Sequence, residues 1–164
     1  PSNYTSFYFT YLKSNNEKKK DIKFNKDILH QSKLVNYFNG DYAKSKIEKD
    51  LDNFLKKIKK NKKYVLTKKD IMLIESIRSD GIKISKKYDD LYEINKSEMP
   101  TDIQVMINNN EIGATLLRII EVIGQDKLEA LDDDTLLFII SALNQLDVDY
   151  IRNKILLKVL PLKV

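Results

Sequence analysis

The chain has 164 residues, 42% hydrophobic and 32% charged, a balance that fits one folded domain with a charged surface. It has no cysteine, which excludes disulfides, thiolate metal sites and cysteine nucleophiles. Its four glycines and three prolines are too few for the turns of a sandwich or barrel. The net charge of +5 is unevenly spread, with +11 over residues 1–69 and −6 over residues 70–164.

In chain order, Tyr4, Phe7, Tyr8, Tyr11 and Leu12 recur at helical spacing and predict an amphipathic helix over Asn3–Leu12. A polar loop, Ser14–Lys20, follows. Lys26–Phe38 is the second predicted helix, capped by Asn25 and stopped at Asn39-Gly40. The third covers Asp41–Lys60, where Ile47, Leu51, Phe54, Leu55 and Ile58 make one stripe; Ser45 and Glu48 have capping-box spacing near its start. Thr67 and Asp70 repeat that spacing before Ile71, Ile74 and Ile77, with a stop at Asp80-Gly81. A short helix is expected over Ser85–Tyr92, and another with Pro100 at its first position and Thr101–Ile107 after it.

The C-terminal third is the most regular. Glu111–Ile123 reads as a helix that stops at Gly124. Asp132, Asp133 and Asp134 open Thr135–Leu146, and Asp147 or Asp149 opens a last helix ending near Leu160-Pro161. Leu116–Ile120 and Leu136–Ile140 are similar apolar runs, apolar over more than one stripe, so both of these helices are expected to be central, with the last helix packed on them. Short connections favour antiparallel neighbours. The expectation is an all-α fold of seven to nine helices in antiparallel hairpins, forming a compact bundle or a short α-solenoid. It would be a single domain, basic and N-terminal over 1–69, acidic and apolar over 70–164. Because the chain opens on Pro1, it is expected to be a fragment, a processed chain or one that begins with a tag remnant, and a candidate for the C-terminal part of a longer helical protein. No stretch reaches the roughly 18 apolar residues of a transmembrane helix.

The sequence holds few candidates for chemistry. His30 is the only histidine, and a lone imidazole lacks the nucleophile and orienting partner a triad needs. The acidic trio at 132–134 lacks the alternation and glycine of a calcium loop and reads better as a helix cap. The isolated glycines make no phosphate-binding loop. No catalytic residue, cofactor site or metal site is therefore assigned, and the chain is expected not to be an enzyme. Two surfaces remain. Lys56, Lys57, Lys59, Lys60, Lys62 and Lys63 form a dense basic cluster suited to polyanions, either nucleic acid or an anionic membrane surface. With no arginine beside them, such binding would be non-specific. The aromatic stripe Tyr4, Phe7, Tyr8, Tyr11 is a candidate partner-binding face. The leading expectation is a non-enzymatic interaction or scaffold module whose partner is another protein or a missing part of the same chain. The alternative is polyanion binding through Lys56–Lys63.

Overall fold

A computed structural model describes residues 32–40, 42–61, 64–91 and 99–160. The described residues are all-α: α1 (Ser32–Val35), α2 (Lys44–Lys60), α3 (Lys68–Ser79), α4 (Thr101–Asn108), α5 (Ile112–Ile123), α6 (Asp133–Gln145) and α7 (Asp149–Val159), with 3-10 turns at Asn36–Asn39, Lys86–Leu91 and Leu128–Ala130. No strand occurs among them. None of their helices is long and apolar enough to cross a membrane.

The helices start and stop where local chemistry dictates. Thr67 and Asp70 form the full reciprocal box at the head of α3: the Asp70 amide donates to Thr67 Oγ1 (3.1 Å) and the Thr67 amide donates to Asp70 Oδ2 (2.9 Å). Aspartate serves here where glutamate is commoner. Asp132 caps α6 by accepting from the Thr135 amide at 2.9 Å, as expected of the acidic trio. Gly40 closes the turn after Asn39 at φ 79°, a left-handed conformation that costs glycine little.

Other details differ from the sequence reading. Ser45 is no cap: α2 begins at Lys44 after an extended Ala43, with no side-chain cap. Pro100 precedes its helix as the extended cap residue (ψ 132°) instead of occupying the first turn. Of the segment expected as a helix over Ser85–Tyr92, the described part forms a 3-10 turn at Lys86–Leu91 in which Tyr88 is buried, its hydroxyl donating to Asp52 Oδ1 at 3.0 Å. Of the helix expected over Lys26–Phe38, the described part is one α turn followed by one 3-10 turn. The predicted helix at Asn3–Leu12 lies outside the described residues.

The core is one continuous cluster. Its largest packed pair is α3 with α6, elements separated by more than fifty residues, which is the geometry of a bundle more than of a nearest-neighbour array. Ile71, Met72, Leu73, Ile74 and Ile77 of α3 meet Leu136, Leu137, Ile139, Ile140, Ala142 and Leu143 in this cluster. α6 also packs on α4 and α7, so its central place is as expected. The chain crosses back as well: the 3-10 turn at Asn36–Asn39 packs on α7.

α5 corrects the sequence reading. It buries one stripe, Thr115, Ile119 and Ile123, its main packed neighbour is α4, and α7 packs on α6 and not chiefly on α5. Leu117 is 52% exposed and Ile112 39%. An apolar helix is central only if neighbours reach every side, and composition counts apolar area without counting neighbours.

Candidate interaction surfaces

The amphipathic period of α2 sorts its side chains by height above the core. Ile47, Leu51, Phe54, Leu55 and Ile58 are buried. Lys46, Lys49, Asn53, Lys56, Lys57 and Lys60 fall at i, i+3, i+7, i+10, i+11 and i+14, and all are exposed. They occupy the outward face of the helix, opposite the buried stripe. The three carboxylates of α2, Glu48, Asp50 and Asp52, lie on its flanks. Two of these are engaged. Tyr42 donates its hydroxyl to Asp50. Asp52 takes Lys87 Nζ at 3.1 Å and the Tyr88 hydroxyl; the Lys87 bond first, opposed by desolvation and helped by Tyr88, holds its carboxyl below the usual range.

The expected cluster is therefore divided. Lys59 turns to the 3-10 segment at Lys86–Leu91, binding Asp90 (3.1 Å) and the Lys87 carbonyl, and serves packing. Lys62 and Lys63 lie outside the described residues, as do His30 and the aromatic stripe Tyr4, Phe7, Tyr8, Tyr11. Lys56, Lys57 and Lys60 stay on the outward face, joined there by Lys46 and Lys49, which the sequence reading left out. The helical period that places the buried stripe also places lysines opposite it, whereas the expected cluster followed consecutive residues. No ion pair engages these five among the described residues, although Lys46 rests over the Tyr42 ring (5.1 Å) and Lys56 adds to the field on Asp52.

A second surface lies on α5. Gly113, Leu116, Leu117 and Ile120, at i, i+3, i+4 and i+7, form an apolar strip along one flank. Leu116 and Ile120 are half-buried, while Gly113 and Leu117 are exposed. A side chain at Gly113 would meet nothing within 4 Å, so the strip is open at that point. On another flank, Arg118 Nε binds Asp102 Oδ2 of α4 at 2.7 Å, fixing α5 against α4 and holding the Asp102 carboxyl below its usual range.

The third arrangement is interior and escaped the sequence reading. Arg152 of α7 is fully buried. Its guanidinium reaches Asp80 Oδ1 (2.8 Å), Asp149 Oδ1 (3.0 Å), Asn144 Oδ1 (3.1 Å) and Asn153 Oδ1 (2.9 and 3.0 Å), and it stands 6.0 Å from the Phe38 ring centroid. Tyr37 donates its hydroxyl to Asp80 Oδ2 at 2.9 Å; burial first and Asp80 second push its phenol up to about 12. Asn144 Nδ2 donates to the buried Ser76 Oγ at 3.3 Å. A planar, permanently charged fork suits such a site, because several acceptors can be met at once. Asp80 Oδ1 is held by the Arg152 charge and accepts no hydrogen bond, while the other members bond to one another, which is the arrangement of a structural tie.

The acidic trio is dispersed. Asp132 caps α6, Asp133 pairs with Lys69 at 3.9 Å and Asp134 with Lys68. Among the described residues no three His, Cys, Asp or Glu side chains gather as a metal site. These features define an all-α bundle with a basic outer helix and an uncovered apolar flank. Comparison with protein-family models, with curated proteins and with solved structures gave no match to this chain.

Proposed function

We propose that the chain is a non-enzymatic interaction module whose α5 flank receives an amphipathic helix of a partner protein. The observation that carries this reading is the strip Gly113, Leu116, Leu117 and Ile120. Single exposed apolar residues are common on any surface; Leu117 flanked in register by the half-buried Leu116 and Ile120, beside the bare Gly113, makes an apolar strip of the kind helices pack against. Gly113 supports a helical occupant, because a missing side chain lets a second backbone approach closely. Burying the strip would also complete a helix whose composition exceeds its present cover.

Affinity capture from the source cells with wild type and Leu117→Glu, followed by measured affinity for any protein that distinguishes them, tests the reading. Leu117 is over half exposed, so its substitution should leave stability within about 0.5 kcal/mol while weakening a true partner at least tenfold. Equal affinity of every captured protein for both forms would overturn it.

A further inference from the structure

We infer that the outward face of α2 is a binding ridge for the phosphate backbone of duplex nucleic acid, used without sequence preference. The ridge is Lys46, Lys49, Lys56, Lys57 and Lys60, with Asn53 as the one uncharged member between them. From Lys46 to Lys60 a helix rises roughly 21 Å. Over that length a duplex presents about twelve phosphate charges. The cations form a line along a rigid rod, and the rod is held by five buried side chains on its other side.

Three observations favour this partner over other polyanions. First, the apolar stripe of α2 is spent on the core, with Ile47 fully buried and Leu51 and Leu55 at 1% exposure, so α2 has nothing to insert into a bilayer. Second, residues 70–164 carry a net charge of −6, which an extended anionic plane would repel, whereas a linear polyanion need touch only the ridge. Third, the ridge consists of lysine and asparagine without arginine or an exposed aromatic ring, so it offers point charges for phosphates and neither the bidentate fork that reads guanine nor a platform for unstacked bases. Asp50 and Asp52 are occupied on the flanks, which leaves the crest positive.

The test is fluorescence anisotropy with a random-sequence 24-base-pair DNA duplex over a salt series. If all five lysines engage phosphates, log affinity should fall against log salt with a slope of about −4.5, roughly a 500-fold loss between 50 and 200 mM. Lys56→Gln/Lys60→Gln should bring the slope to about −2.7. Lys83→Gln/Lys127→Gln, two exposed lysines outside α2, should leave it unchanged, with unaltered circular-dichroism melting confirming that both variants fold. Absence of binding at 50 mM salt, or the same slope in the α2 double variant as in wild type, would overturn the inference. So would tighter, equally lysine-dependent binding to vesicles of phosphatidylcholine and phosphatidylserine, which would assign the ridge to a lipid surface.

Discussion

Arg152 shows how a single residue can set the terms for its surroundings. A buried guanidinium is tolerable only because two carboxylates and two amide oxygens meet it, and Asp80 is itself only 15% exposed. Removing the cation strands Asp80 near the core, so Arg152→Met should cost about 3–5 kcal/mol in urea unfolding, a large share of a small domain's stability. Tyr37 supplies a pH signature for the same cluster. Its phenol keeps its proton in the folded chain up to about 12, against an ordinary value of 10.0. Between those values the unfolded chain releases a proton that the folded chain retains, so stability falls as pH rises. Tyr42, pushed up to about 12 by burial and then by Asp50, acts in the same direction. Denaturant midpoints should therefore drop between pH 10 and 12, less steeply in Tyr37→Phe, and an identical drop in both proteins would show that the phenol does not contribute.

Among the helices, α3 depends most visibly on its first turn. Thr67 Oγ1 accepts from the Asp70 amide, and its hydroxyl, its own amide and the Tyr64 hydroxyl (2.7 Å) converge on Asp70 Oδ2. Thr67→Ala removes the cap and one of those donors, so it should lower stability by about 1 kcal/mol, read as a shifted urea midpoint with unchanged slope. This box was legible in the sequence because a cap is a matter of four adjacent residues. The stripe of α2 was legible for the same reason, since a repeat near 3.6 residues needs no knowledge of distant chain. The Arg152 cluster was not legible: Tyr37, Asp80, Asn144 and Arg152 come from four segments, and each looks like an ordinary surface residue. Nor was the uncovered flank of α5, because its leucines and isoleucines resemble those of α6. The helix expected over Ser85–Tyr92 is, at the described Lys86–Leu91, a tighter turn, in which Tyr88 bonds to Asp52, a residue more than thirty positions away.

Across the whole molecule, the N-terminal described segment and α7 share one cluster. The N-terminal and C-terminal regions of unlike charge therefore meet in the interior, while the outward lysines of α2 stay at the surface. Lys68 and Lys69 of α3 face Asp134 and Asp133 of α6, so the largest packed pair also carries opposite charges at its rim. Such pairs contribute little at a surface, and the buried isoleucines and leucines of that pair carry the association.

The contact of Phe38 with Arg152 has a consequence for synthesis. Translation proceeds from the N-terminal end at about 5–20 residues per second, so Phe38 precedes its cationic neighbour by roughly 6 to 23 s. Through that interval the apolar patch around Phe38 lacks the α7 surface that its 3-10 turn finally rests against. A nascent chain stalled on the ribosome before Asp149 should thus present that apolar patch to chaperones, and one stalled well beyond Leu160 should not.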